Sequence, residues 1–373
     1  MALACVPSAS AAAPSDPGRW TLTKTSDISW RYWQGHSSSI DSKGAIRFYY
    51  AGTNELYLAD SGYNRTLSVK PGLPAAFTTA IGFNHIGDPS WDPAEGGRLL
   101  AGLECYYPSA PIANTCGVGA IASIDPAKLT LRYAVKLDPA DIRKAMWVES
   151  SPDGKLVWTS SGNDLLAYSA ADITRAKAFS ANSFSSATPI RPVRRLVDAA
   201  PPSGVTGAAF WGGRLFLAGQ DLLSFQVWSV DTATGESRLE IEKTISGESE
   251  GLDVVPNQGG LLHWSVMPLQ VGPFPRTWEM PTMMSFRPST PTSLTVAAST
   301  SRLRRGSTKS ITFTVTGDGG PIPYVKVTCG GRYGWTSRSG KVTLSVRPTR
   351  KGSLSVSASL TGTAGGSASL TVI

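Results

Sequence analysis

The chain is poor in charge, in histidine and in cysteine, and each shortage narrows the field. Only 17% of its 373 residues are Asp, Glu, Lys or Arg, well below the roughly 25% of ordinary globular domains, so long solvated helices fit poorly. No apolar run approaches the ~18 residues of a membrane-spanning helix, because Pro, Gly, Ser or a charge interrupts each candidate. Phosphate-loop, His-Glu-x-x-His and Cys-x-x-Cys patterns are missing too, which removes common signatures of nucleotide, zinc-protease and thiol-redox chemistry. What is plentiful is Gly (38) and Pro (26), in a chain that is 41% apolar. Many short strands joined by tight turns account for that balance, and the fold class read from it is all-β.

The net charge of +8 is unevenly placed. Residues 289–373 hold 11 basic side chains and one acid, Asp318, a net +10 that leaves −2 for the rest. The basic character therefore belongs to a terminal module, and nucleic acid is not the expected partner of the whole chain.

Between residues 18 and 288 one phrase recurs: an apolar strand start, a Gly/Asp/Pro turn, then an alternating second and third strand. Met146-Trp-Val-Glu-Ser-Ser-Pro-Asp-Gly-Lys-Leu-Val-Trp followed by Leu165-Leu-Ala-Tyr is the clearest copy, with Asp153-Gly154 as its hairpin turn. Copies start near residues 36, 85, 146, 205 and 250, a spacing of 45 to 61 that suits four-stranded blades. The expectation is a β-propeller of five blades, with six as the alternative. Trp20-Thr-Leu-Thr-Lys-Thr-Ser is either an outer strand closing the ring or part of a sixth blade. Short helical turns are expected at 138–144 and 170–175.

Residues 288–294 read as a Pro/Ser/Thr linker. Beyond it, Ile311-Thr-Phe-Thr-Val-Thr, Val342-Thr-Leu-Ser-Val and Leu354-Ser-Val-Ser-Ala alternate as strands of a β-sandwich. The division is thus 1–17, 18–288 and 289–373. In the last part, Gly317-Asp-Gly-Gly-Pro-Ile-Pro-Tyr-Val-Lys-Val and Gly330-Gly-Arg-Tyr-Gly-Trp-Thr-Ser-Arg-Ser-Gly-Lys-Val resemble bacterial immunoglobulin-like modules of secreted and surface proteins. In the propeller part, Gly247-Glu-Ser-Glu-Gly-Leu-Asp-Val and Ser150-Ser-Pro-Asp-Gly resemble the exported bacterial propellers that include phytase-like and gluconolactonase-like proteins. The second resemblance implies a fold and export; it does not fix an activity.

Compartment is read from both ends of the composition. Met1-Ala-Leu-Ala-Cys-Val-Pro-Ser-Ala-Ser-Ala-Ala-Ala-Pro14 runs from apolar to small residues, as the end of a secretory signal does, although it has no basic start. A plain Ala/Ser tail, or lipidation at Cys5, are the other readings. Cys105 and Cys116 flank a loop without metal-ligand spacing, so a disulfide is expected in an exported protein. Cys329 reads as a buried strand thiol.

The candidate site gathers acids and imidazoles at the entries to innermost strands. His36 and His85 head such strands in the first two copies, Glu149 and Glu250 in the third and fifth, with Asp88 three residues beyond His85 and Glu104 at a strand exit. Because innermost strands begin on one face of a propeller channel, these six should line its mouth. His36, His85, Glu149 and Glu250 form a candidate set for one divalent metal ion, Zn²⁺, Mn²⁺ or Fe²⁺ given the mixed donors. The same groups could serve as general acid and base, or as a polar lining that binds only water. His263 reads as a satisfied strand residue. Trp30, Tyr32, Trp33, Tyr106 and Tyr107 are candidates for a sugar-stacking rim.

The function these features favour is a monomeric, secreted or envelope-associated binding protein. Its propeller would hold an extracellular small molecule or glycan. Its basic sandwich would attach to an anionic envelope polymer through Arg302, Arg304, Arg305, Arg347, Arg350 and Lys351. The competing function is a metal-assisted extracellular hydrolase or lyase acting on an ester, lactone or glycan.

Overall fold

A computed structural model describes residues 20–41, 44–105, 116–200, 204–221, 224–255, 260–270, 277–278, 280–288, 293–317, 320–322, 325–337, 339–360 and 363–373. The Ala-rich start with Cys5, Tyr106 and Tyr107, and linker residues 289–292 lie outside them.

The strand β1 (Trp20–Asp27) is followed by a four-stranded meander, β2 (Gly35–Ile40), β3 (Ile46–Gly52), β4 (Glu55–Ala59) and β5 (Arg65–Val69). The second sheet is β6 (His85–Asp92), β7 (Arg98–Glu104), β8 (Ala120–Ile124) and β9 (Leu131–Lys136). The third is β10 (Glu149–Ser150), β11 (Leu156–Ser161), β12 (Asp164–Ser169) and β13 (Arg194–Leu196). The fourth is β14 (Val205–Trp211), β15 (Arg214–Asp221), β16 (Ser224–Val230) and β17 (Ser237–Thr244). The fifth takes β18 (Gly247–Val255), β19 (Leu261–Gln270) and β21 (Thr282–Pro288), with a short β20 (Thr277–Trp278) on the side of β19. Its outer strand is β1, antiparallel to β21 from Trp20↔Pro288 to Asp27↔Thr282. The Trp20 segment is therefore the outer strand of the sheet that ends the propeller part. Four-stranded sheets arranged in this way are those of a β-propeller.

Apolar alternation explains the packing, because each pair of adjacent sheets shares its own core. Tyr49, Leu56, Ile86 and Leu103 join the first and second sheets, and Leu100, Val135, Val157 and Leu166 the second and third. Trp158, Leu165, Phe210 and Leu217 join the third and fourth, Phe216, Val227, Trp264 and Trp20 the fourth and fifth, and Phe48, Tyr50, Val255 and Met283 the fifth and first. Each fully buried large side chain contributes about 1.5–3 kcal/mol.

Helices are few and short. Ala170–Arg175 forms the expected turn, N-capped by Ser169. Residues 138–144 instead make successive turns in which Asp138 O accepts from the backbone N–H groups of Asp141 and Ile142. Other short helices lie at Ala75–Ala80 and Ala181–Ser186.

After the fifth sheet come β22 (Thr295–Ala298), β23 (Arg302–Leu303), β24 (Lys309–Gly317), β25 (Gly320–Pro321), β26 (Lys326–Cys329), β27 (Arg332–Trp335), β28 (Lys341–Val346), β29 (Gly352–Ser359) and β30 (Gly366–Val372). They form two sheets, β22-β24-β25 with β28 on β24, and β23-β30-β29-β26-β27. Their inward residues Val296, Ile311, Phe313 and Val315 face Val327, Val356, Ala358 and Leu370 across one core. Cys329 lies in that core with its thiol pKa raised by burial, so it is an inert packing residue. This sandwich sits under the exit end of the innermost strands. A Cβ on Gly44, in the β2–β3 turn, would come 2.7 Å from the Trp335 ring, and a cavity of about 350 Å³ between the two parts is lined by Ser38, Trp91, Ser150 and Trp335.

Candidate functional site

The centre of the ring is a plug rather than an open channel, and Asp88 makes it. Its Oδ1 accepts from His36 N at 2.8 Å, and its Oδ2 from Ala208 N at 3.1 Å and Leu252 N at 3.3 Å. Its own backbone N donates to Met146 O, and its carbonyl accepts from Val148 N. One residue thereby joins all five inner strands or their lead-ins. Backbones can meet so closely only where side chains are missing: a Cβ on Gly87 would lie 1.9 Å from Met146 O, and one on Gly251 2.6 Å from Asp88 Oδ1. Burial drives the Asp88 pKa well above the usual carboxylate range, against the pull of those three N–H donors.

A second circuit reinforces the first. Ser37 Oγ accepts from Trp91 N, Ser90 Oγ from Ser150 N, and Glu149 Oε1 from Phe210 N at 2.9 Å. Thr206 donates to Glu250 O, and Ser38 donates to Asp253. These links run from each innermost strand to the next and return to the first.

Measured against Asp88, the six expected mouth residues separate by level. His36 is level with the plug, its backbone N on Asp88. Its ring points into the seam between the first and fifth sheets, with Nε2 3.2 Å from His263 O and the two imidazoles 6.3 Å apart. Burial lowers the His36 pKa to about 4 and that of His263 to about 3, so both rings are neutral. Glu149 is beyond the plug on the exit side, facing the fourth sheet. Only His85, Glu104 and Glu250 stand on the entry side. His36, His85, Glu149 and Glu250 therefore do not converge, and among the described residues no three His, Cys, Asp or Glu side chains group as metal ligands. The four do not fit the one-metal expectation, for a plain reason: strand position alone does not give the level or the direction of a side chain.

What the structure does assemble is an acid–base cluster on the entry side. His85 and Glu104 face each other as register partners at the mouths of β6 and β7, with Nδ1 3.0 Å from Glu104 Oε1. Glu248, at the start of β18, reaches solvent yet is closely surrounded. Burial raises its pKa, and His85 partly offsets the rise. Glu250 is buried, its pKa driven well up by desolvation and by the charges of Glu248 and Asp88. Directly after Glu104, Cys105 is bonded to Cys116 with Cα atoms 5.8 Å apart, the expected disulfide. It ties Cys116 to the chain directly beside Glu104. A separate pocket of about 460 Å³, between the third and fourth sheets, is lined by Asp141, Arg143, Lys144, Met146, Ser160 and Val205 and by none of the cluster residues.

Glu248 is an addition to the expected set. A signal for Glu248 exists, since strand alternation puts it on the same side of β18 as Glu250. Gly247-Glu-Ser-Glu-Gly251 also has the Gly-x-Ser-x-Gly spacing of hydrolase nucleophiles. Ser249, however, is buried within β18, its Oγ accepting from Trp264 Nε1 at 3.0 Å and lying 3.3 Å from Thr206 Oγ1. It sits on no strand-to-helix turn. Of the aromatic rim, Trp30 is exposed with Nε1 2.9 Å from Met280 Sδ, whereas Tyr32 stacks on Tyr50 at 4.4 Å as part of the seam.

No protein-family model matches the chain, and no curated protein does. Among solved structures it is similar to Myxococcus xanthus glutaminyl cyclase, with TM-score 0.41 and 11% identity over 73% of this chain and 98% of that one. A GH43_1 enzyme from Xanthomonas citri, complexed with xylose, gives TM-score 0.40 and 11% identity over 68% and 92%. A calcium-binding protein, regucalcin, from Agrobacterium tumefaciens gives 0.34 and 16% over 66% and 75%. Likenesses of this size carry no inference about chemistry.

Proposed function

We propose that the protein is an exported five-bladed propeller with an immunoglobulin-like C-terminal domain, and that its entry-side mouth performs acid–base chemistry on a polar extracellular ester, lactone or glycan. The supporting observation is the Glu104–His85 pair beside Glu248. A buried carboxylate that holds an imidazole at 3.0 Å orients it as a general base toward water. A neighbouring carboxyl whose pKa burial has raised keeps its proton nearer neutral pH, as a general acid requires. In this reading His85 takes the proton of the attacking water and Glu248 returns one to the leaving oxygen. The Cys105–Cys116 disulfide supports export, since such bonds persist in oxidising compartments.

The test is a panel of chromogenic esters, lactones and glycosides assayed with wild type, His85→Gln and Glu248→Gln. Loss of about 100-fold or more in kcat/KM in either variant is expected for a positioned acid or base. A second reading, a ligand platform without turnover, is favoured by the engagement of Asp88 and Glu149 with backbone N–H groups. Ligand-induced thermal shifts without turnover, abolished by His85→Gln, would establish that reading instead.

A further inference from the structure

The sandwich has two unlike ends. One end, with Pro321 near Gly213 and Trp335 against Gly44, meets the exit face of the propeller. Strand β28 runs away from that contact from Lys341 to Val346, 6 residues, or about 20 Å at the usual strand rise. At the far end the chain returns to one place three times. Gly306 N donates to Pro348 O at 2.8 Å, Arg347 Nε donates to Gly306 O at 2.9 Å, and Arg305 N donates to Ile373 O at 2.9 Å. Arg302 pairs with Thr371 and Gly352 with Val372 in the same region. Cations separated by some 45 residues in sequence are thus fixed on one end.

We infer that this far end, with Arg302, Arg304, Arg305, Arg347, Arg350 and Lys351, is a docking surface for an extended anionic polymer, and that it holds the propeller mouth facing away from that polymer. All six side chains are exposed, and none makes an ion pair among the described residues. Uncompensated like charges destabilise a fold by self-repulsion, so their concentration at one end is a cost without a partner. Six cations exposed on one surface suit a long polyanion better than a small anion. The strand ends beside them carry Ser353, Ser369 and Thr371, with Ser353 Oγ 2.6 Å from Ser369 Oγ, and a single exposed apolar side chain, Ile373, rather than the broad apolar face that enters a bilayer. The orienting half of the inference rests on the mouth assignment; the binding half does not.

The experiment uses the full chain over surfaces coated with long-chain polyphosphate, polygalacturonate, or vesicles containing phosphatidylserine, which separates phosphate from carboxylate polymers and both from lipid. Binding to one or both polymers is expected, falling steeply with salt because each displaced counterion adds to the slope. The five-site reversal Arg304/Arg305/Arg347/Arg350/Lys351→Glu should weaken it about 10-fold or more. Lys326→Glu with Lys341→Glu, on the propeller-facing half, should change it less than about twofold. The corresponding five-site Gln variant, with an unchanged thermal transition, guards against a folding defect. Equal losses from both sets, indifference to about 0.5 M salt, or binding to vesicles alone would overturn the inference. Binding is read without any enzyme assay, so failure of the mouth reading would leave this result standing.

Discussion

The plug and the mouth are built from titratable side chains a few residues apart, on the innermost strands and, for Glu104, on the strand paired with one of them, yet they are chemically opposite. At Asp88 every carboxylate lone pair in use receives a backbone N–H, and the result is rigid, buried and shared among sheets. At His85, Glu104 and Glu248 the polar groups face one another beside solvent. A carboxylate that satisfies backbone is architecture, because removing it strands donors; one that meets another titratable group is available for proton transfer.

The sharpest way to break this comparison is at the plug. Asp88→Ala would leave three buried N–H groups unpaired at about 1–3 kcal/mol each, so the variant should lose most of its stability or fail to fold. Urea denaturation of Asp88→Ala and the milder Asp88→Asn measures it. A loss below about 1 kcal/mol would show that Asp88 is not the hub described.

Next in size is the clamp at the mouth. Reducing Cys105–Cys116, a bond across a sequence separation of 11, should cost about 3 kcal/mol and be visible as a lower Tm in reductant. An unchanged transition would mean that the loop base is held by other contacts.

The third test separates titration in the seam from titration at the mouth. His36 and His263 have folded pKa values of about 4 and about 3, below the ordinary 6.5. The unfolded chain therefore binds more protons, and their contribution is full above pH ~6.5 and lost as pH falls toward those values. Asp88, Glu248 and Glu250, with raised values, act in the opposite sense: their protonated folded forms gain relative stability as pH falls. Wild type alone would blur the two. The stability difference between wild type and His263→Phe should shift by about 2 kcal/mol against wild type between pH 7 and pH 4.5. A pH-independent difference would place the His263 ring in solvent.

The smallest stability effect belongs to Glu104→Gln, expected at about 1–2 kcal/mol because the isosteric amide can still bond the imidazole of this buried pair, while ligand response or turnover falls with a shifted pH profile. Large destabilisation without a change in profile would move Glu104 from chemistry to architecture.

Much was legible from the chain because it is written in local periodicities. Alternating apolar residues and Asp153-Gly154 mark meanders, recurrence marks sheets, and Cys105 with Cys116 marks a closed loop. Level and direction were not legible. His36 and His85 look equivalent as strand starts, but bulges between Ile86 and Pro89 and between Ser249 and Leu252 shift the strands against one another. One ring is consequently turned into a seam and the other toward a mouth.

By itself, then, the sequence determined an all-β chain of repeated meanders, a separate basic end and a bonded cysteine pair, since each follows from neighbours in the chain. Only the tertiary structure decided that Asp88 is the hub, that Glu149 lies on the far side of it from His85, that Glu248 joins Glu104 and His85, and that cations from two stretches share one end. Those outcomes depend on how strands remote in sequence register and which way each pleat turns, and a period-of-two pattern carries no information about either.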